Sequence, residues 1–321
     1  MVYTIARISI FGKGILAADE SSPTIAKRLK SVGVESTPES RHDYRQTLFS
    51  SPGIENYISG VILFDETIRT EATIKPLRDK GILLGVKVDK GAVPYDNHKR
   101  GEKLTEGMDG LDERLEEYRK LGATFTKWRG VINPNNSVGG ITANAYTLAR
   151  YAKKSQLQGL IPIVEPEVIM DGGHSIEDSL EITERTLNIV FEALFYENVS
   201  LEEMILKPNM VLSGYDNVNF WNSLDRREVT ADFTKRCLLR SVPAAVPMIA
   251  FLSGGQPDGE AAAHLSLINK EELHPWYVSF SFGRELQKQC LEHWSNGNKE
   301  KAQSSFIERA RECSAATHGA L

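Results

Sequence analysis

Lys207 lies inside the run Met204-Ile205-Leu206-Lys207-Pro208-Asn209-Met210-Val211, which is apolar on both sides. A charged ammonium in such a run loses hydration, and its pKa falls toward the neutral amine. The neutral amine is a nucleophile for carbonyls; the ammonium is not. A strand-end lysine with its stem on apolar surface and its head in water is the alternative for that residue taken alone. Amine chemistry on a carbonyl needs more than one residue, and the chain supplies candidates. A second cation nearby, Lys127, would lower the pKa of Lys207 further by like-charge repulsion. Loss of water from a carbinolamine needs a general acid, for which Glu165 or Glu167 would serve. Two carboxylates so close would also push one pKa upward. A base is needed on a leaving hydroxyl, and Asp19 is placed for it. A phosphate needs backbone N–H donors and a cation; Ser253-Gly254-Gly255 and Arg284 provide both. Lys27, Arg28, Lys87 and Arg129 form a second basic set that could hold another phosphate.

The elements that must carry these residues are legible in the same sequence. Short β-rich runs fall at 14–19, 60–65, 82–88, 123–129, 160–165, 204–210, 246–252 and 276–281. Most are apolar throughout, as strands buried on both faces of a parallel sheet must be. Helical patterns separate them. Ser22-Pro23 and Thr37-Pro38-Glu39 each place a cap before a proline at the first helical position. Ser175-Ile176-Glu177-Asp178 opens a long amphipathic helix. The segments 112–121 and 142–157 read as helices stopped by Gly122 and Gly159. Eight strand–helix alternations predict an α/β fold, a (β/α)₈ (TIM) barrel, as one domain over 1–321. A doubly wound open sheet would carry a glycine-rich fingerprint after its first strand, and none is present.

In such a barrel functional groups gather at the C-terminal strand ends. Every run here delivers a polar group at that end: Asp19, Asp65, Lys87 with Asp89, Lys127 with Arg129, Glu165 with Glu167, Lys207 with Asn209, Ser253 and Ser281. Each one singly reads as a cap or a solvated end, but their concurrence on one rim predicts an active site. The polar connection 90–108, containing Asn97-His98-Lys99-Arg100, is long enough to be functional. The small residues 314–321 are expected to fray.

Composition narrows the function class. The chain has 321 residues and a net charge of −5, with no basic footprint for nucleic acid. Its three cysteines, Cys237, Cys290 and Cys313, are odd in number and widely spaced, which fits a reducing cytoplasm rather than a disulfide framework. No signal-peptide pattern and no membrane-length apolar run are visible. The seven histidines are scattered without zinc-ligand spacing, so no metal is expected; His174 beside Asp171-Gly172-Gly173 is the one loop histidine worth locating.

Taken together, Gly12-Lys13-Gly14-Ile15-Leu16-Ala17-Ala18-Asp19-Glu20-Ser21, Val86-Lys87-Val88-Asp89-Lys90-Gly91, Lys127-Trp128-Arg129, Pro162-Ile163-Val164-Glu165-Pro166-Glu167, Leu206-Lys207-Pro208-Asn209, Phe251-Leu252-Ser253-Gly254-Gly255-Gln256 and Phe280-Ser281-Phe282-Gly283-Arg284 resemble class I fructose-1,6-bisphosphate aldolase. The resemblance runs from Gly12 into the last helix. It implies a glycolytic or gluconeogenic enzyme of the cytoplasm, independent of metal and cofactor, often a homotetramer. It implies that Lys207 forms the imine with the ketose. Glu165 would be the acid and base for that step, supported by Glu167 and Lys127. Asp19 would take the proton of the C4 hydroxyl. Ser253, Gly254, Gly255, Ser281, Gly283 and Arg284 would serve the C1 phosphate. Ser21, Arg28 and Lys87 would serve the C6 phosphate, and Arg129 the channel between. The sequence departs from the family pattern in three places. Ser22-Pro23 stands where Thr-Gly is usual, Phe282 replaces a frequent tyrosine, and no tyrosine follows Tyr277, where many members end in one that helps to protonate the enamine. Other ketose phosphates, and a barrel retained as a binding scaffold, are the rival readings.

Overall fold

In a computed structural model, described for residues 1–95, 101–270 and 274–321, eight parallel strands close into a barrel with helices between them. The ten strands in chain order are β1 (Gly14–Ala18), β2 (Ile58–Leu63), β3 (Leu83–Lys87), β4 (Gly91–Pro94), β5 (Lys103–Glu106), β6 (Phe125–Ile132), β7 (Ile161–Val168), β8 (Ile205–Leu206), β9 (Met248–Phe251) and β10 (Tyr277–Phe282). All but β4 and β5 form the barrel, in the order β1-β2-β3-β6-β7-β8-β9-β10, with β10 pairing back onto β1. The expected (β/α)₈ architecture is therefore present, with strand order following chain order.

Local chemistry explains where the elements depart from expectation. The second strand ends at Leu63, because Asp65 opens the short helix Asp65–Ile68 instead of finishing a strand. The sixth barrel strand spans only Ile205–Leu206 of the expected 204–210. Lys207 N still donates to Val164 O at 2.8 Å, but Pro208 has no N–H to continue the ladder. Within the connection 90–108, β4 and β5 pair antiparallel beside the barrel mouth. Asn97-His98-Lys99-Arg100 lie outside the described residues.

Two of the three cap signals hold; at the third the cap is Ser21, one residue before the expected Ser22, and its side chain makes no capping bond. Pro23 sits in the first turn of the helix Ser22–Ser31. Thr37 caps Pro38–Phe49 through a reciprocal box with Ser40, and Ser175 caps Ile176–Tyr196 through a box with Asp178. Gly122 and Gly159 adopt φ of 93° and 73°, the left-handed geometry that ends a helix. The helix expected from 142 begins earlier, at Val138, where Ser137 Oγ accepts from Gly140 N. Gly139 and Gly140 hide that start, since glycine is a poor helix former. Gly140 is needed there because a β-carbon would stand 2.2 Å from Glu102 Oε2.

Beneath the mouth the barrel is filled, not hollow. Ile15, Ile62, Phe125, Ile163, Ile205 and Met248 pack one inner cluster, closed at the bottom by Ile8 of the helix Val2–Ile8. Phe125 fills space left by Gly85, where a β-carbon would lie 2.0 Å from its ring. Burying one such side chain contributes about 2–3 kcal/mol, so this layer makes a rigid floor for the rim. The C-terminal stretch does not fray as expected. Ser314 to Ala316 complete the helix Lys299–Ala316, Ser314 Oγ donates to Gly12 O at 2.6 Å, and Leu321 N donates to Ser266 Oγ at 3.0 Å. Among the described residues no helix is long and apolar enough to cross a membrane.

Candidate active site

The C-terminal strand ends surround a cavity of about 1070 Å³ that opens at the barrel mouth. Strand periodicity selects its walls. Lys127 and Arg129 of β6, and Glu165 and Glu167 of β7, alternate along their strands and so share the inner face. Register places Arg129 beside Glu165 and Lys127 beside Ile163. Asp19 follows β1 and Lys207 follows β8. Every residue given a catalytic or phosphate-binding part in the sequence reading lines this cavity except Gly255; Asn209, also expected on the rim, does not line it either.

At its base lies a connected set of charges. Lys207 is 3% exposed and Glu165 also 3%. Lys207 Nζ stands 3.5 Å from Glu165 Oε1. Lys127 Nζ lies 2.7 Å from Glu165 Oε2 and 3.0 Å from Asp19 Oδ2. Burial lowers the Lys207 pKa, against the attraction of Asp19 and Glu167, and Arg129 lowers it further. Arg129 is a cation beside Lys207 that the sequence reading did not name for that part, and Lys127, the neighbour it did name, repels Lys207 while lying between two carboxylates. Lys127 is itself lowered to about 8, first by burial and also by Lys207. Burial pushes the Asp19 carboxyl up, but Lys127, Lys207 and Lys87 outweigh it and hold Asp19 well below the usual carboxylate range. Glu165 faces both Lys127 and Lys207, and Glu167 accepts from Arg129 Nε. The arrangement can hold a neutral amine beside an acid and an ionised carboxylate.

The two rims differ. On one side, Ser281 Oγ is buried and has no hydrogen-bond partner in the structure, and Ser253, also buried, lines the same cavity. An orphaned buried hydroxyl marks a place for a ligand oxygen. Gly254 and Gly255 take φ of 56° and 81°, turning the chain after β9. Gly255 does not reach the cavity; a β-carbon there would meet Tyr215 Oη at 2.3 Å and Arg284 Nη2 at 2.5 Å, so its role is to let Arg284 approach. On the other side, Arg28 pairs with Glu20 and Lys87 with Asp89, while Ser21 Oγ bonds Thr24 Oγ1 at 3.1 Å.

His174 is half-buried in a loop whose carbonyl accepts Gly214 N at 3.0 Å and Ser213 Oγ at 2.7 Å, and it does not line the mouth. No cluster of three metal-ligating side chains occurs among the described residues. Cys237, Cys290 and Cys313 are free and buried.

The family model described as fructose-bisphosphate aldolase class-I matches residues 1–321. The chain belongs to the class I fructose-bisphosphate aldolases. The Xylella fastidiosa protein named "Probable fructose-bisphosphate aldolase class 1" is 51% identical over 312 residues, covering 94% of this chain and 92% of that protein. "Fructose-bisphosphate aldolase 4, cytosolic" of Arabidopsis thaliana is 44% identical, over 99% of this chain and 83% of that protein. The solved structure of fructose-bisphosphate aldolase from Plasmodium falciparum, in complex with TRAP and a small-molecule inhibitor, superposes with a TM-score of 0.96. It is 41% identical and covers 100% of this chain and 94% of that one.

Three residues support this aldolase's mouth in ways the sequence reading did not foresee: Asp89, read only as a strand-end carboxylate, and Glu20 line it, and Tyr215 braces the turn beside it. Asp89 Oδ1 accepts from Lys87 Nζ and Gly91 N, and its Oδ2 accepts from Arg129 N at 3.3 Å, so it ties β3 to β6. Its signal was available in Val86-Lys87-Val88-Asp89. Glu20 Oε1 takes Arg28 and Gln287, which anchors the segment after Asp19. Tyr215 Oη donates to Gly254 O at 2.7 Å. Nothing in the sequence marked Tyr215, because its loop meets the turn after β9 only through the fold. The Phe282 departure does not touch the cavity: its ring is fully buried in the outer core, 5.4 Å from Phe280.

Proposed function

We propose that this aldolase cleaves fructose 1,6-bisphosphate reversibly to dihydroxyacetone phosphate and glyceraldehyde 3-phosphate, with Lys207 as the imine-forming residue. The observation that carries the reading is the buried Lys207 amine 3.5 Å from Glu165, at the base of a mouth flanked by two separate oxyanion-directed rims. Neutral Lys207 attacks the C2 carbonyl, and Glu165 gives the proton with which the carbinolamine loses water. The protonated imine then accepts the electron pair of the C3–C4 bond. Asp19, ionised at the outset, takes the C4 hydroxyl proton as the aldehyde forms. The enamine gains a proton at carbon, and water hydrolyses the imine to return Lys207. Lys127, with a pKa of about 8, sits against both Asp19 and Glu165 and carries protons between them.

Ser281, Ser253, the turn at Gly254, Gly283 and Arg284 hold the C1 phosphate in this account. Arg28, Lys87 and Ser21 hold the C6 phosphate, and Arg129, braced by Glu167, lines the path between. Steady-state comparison with fructose 1-phosphate tests the substrate assignment. A kcat/KM at least about tenfold higher for the bisphosphate is expected from one charge-assisted phosphate contact alone. Equal values would overturn it. Relatives named cytosolic support a cytosolic location. Exposed Leu157, Phe195 and Leu239, on neighbouring helices, support assembly into a homo-oligomer, a tetramer by family likeness.

A further inference from the structure

Behind the wall that carries Asp19 lies a second cavity, of about 460 Å³, outside the barrel mouth. It is formed between the helix Pro38–Phe49 and the pair Asp65–Ile68 and Glu71–Asp79. Its size is within the range of small-molecule sites. Arg41, His42 and Arg45 line it from the first helix; Glu66, Thr67, Thr70 and Thr73 line it from the other two.

The polar groups of this pocket are incompletely satisfied. Arg41 Nε donates to both oxygens of Glu66 at 3.1 Å, so this cation and this carboxylate neutralise one another. His42 Nδ1 and Thr73 Oγ1 are paired at 2.6 Å, and Thr70 Oγ1 donates to Glu66 O at 3.0 Å. Arg45 is different. It is 2% exposed, its Nη2 donates to Glu20 O at 3.1 Å, and its Nη1 stands 3.8 Å from Glu66 Oε1. Arg45 Nε and Thr67 Oγ1 are buried without any hydrogen-bond partner. Two orphaned donors on a wall with two arginines, beside a cavity of this size, suit the oxygens of an anion.

We propose that this pocket is a second binding site, for a small metabolite bearing an oxyanion, phosphate or carboxylate, that accepts from Arg45 Nε and Thr67 Oγ1. Glu39, at the exposed rim, and Glu66, already held by Arg41, limit it to compact anions rather than extended polyanions. Arg45 also joins this site to the mouth, because Glu20, which accepts from it, follows Asp19 directly.

Calorimetric titration of the full chain with inorganic phosphate, and separately with malonate, tests the proposal. Ser281→Ala identifies the component that belongs to the barrel mouth. The expected result is a further component that Ser281→Ala leaves intact and that Thr67→Val weakens on the order of tenfold. Thr67→Val removes a hydroxyl that bonds nothing in the protein, so it is expected to fold with an unchanged or raised melting temperature. Arg45→Lys keeps the charge but moves the donor, and is expected to lose the same component. A response to phosphate alone assigns a phosphate ligand, and a response to malonate alone a carboxylate. If Thr67→Val and Arg45→Lys bind both anions as the parent does, the proposal is overturned and solvent serves those atoms.

Discussion

Lys207 Nζ and Glu165 Oε1 stand 3.5 Å apart, and the other Glu165 oxygen is taken by Lys127 at 2.7 Å. The distance is longer than a tight ion pair, which leaves the Lys207 amine room to move onto a carbonyl. Glu165 thus serves an amine on one side and a proton reservoir on the other. Both lysines are charged only at a desolvation cost, and that cost is the source of their reactivity.

Replacing Lys207 by Met is expected to abolish cleavage, by a factor of about 10⁴ or more, since the other buried amine, Lys127, is held between Asp19 and Glu165. The fold should persist, with a melting temperature equal to or above the parent's. A buried ammonium is exchanged for an apolar side chain, and Glu165 keeps Lys127 as its partner. Steady-state kinetics and thermal melting on the same preparation check both halves.

Glu165→Gln is expected to lower kcat by roughly 10²–10⁴-fold, with a smaller change in KM. The amide retains the shape but cannot give a proton to the carbinolamine. Stopped-flow measurement should place the loss in imine formation; a loss confined to substrate affinity would show that Glu165 only shapes the pocket.

The two rims make separable predictions. Lys87→Met is expected to reduce kcat/KM for the bisphosphate by on the order of tenfold while sparing fructose 1-phosphate, because one phosphate contact is lost at the C6 end only. Ser281→Ala is expected to raise KM for both substrates. Measuring the two substrates against each variant distinguishes the ends.

Stability should depend on pH through Glu285, at the start of the helix Arg284–Ser295. Burial raises its carboxyl to about 7, against the pull of Arg309. In the folded state it therefore binds a proton more readily than in the unfolded chain. Its contribution is fully present below the unfolded value near 4.5 and is lost as pH rises through 7. Glu285→Gln, which retains an acceptor for Gly259 N, is expected to flatten the fall in melting temperature between those pH values. An unchanged pH slope would show that other groups set it.

The barrel and most of its site were legible because they depend on local pattern. Apolar runs marked the strands, caps marked the helices, and the inward alternation of Lys127, Arg129, Glu165 and Glu167 followed from period two. What stayed hidden depends on contacts distant in sequence. Asp89 was visible as a strand-end carboxylate, but its bond to Arg129 N joins two strands that β4 and β5 separate in the chain. Tyr215 meets Gly254 across thirty-nine positions, and no periodicity announces such a contact. Pro208 shortened β8 in a way its own chemistry predicted, and Gly139-Gly140 concealed a helix start that packing against Glu102 explains.

The central claim is that Lys207, and not the equally buried Lys127, forms the covalent bond to the ketose. Incubation of the protein with dihydroxyacetone phosphate and borohydride, followed by proteolysis and mass spectrometry, reads this directly. The account predicts one reduced adduct per chain, on the peptide bearing Lys207, absent in Lys207→Met. An adduct on Lys127, or none at all under conditions where the protein cleaves its substrate, would contradict it.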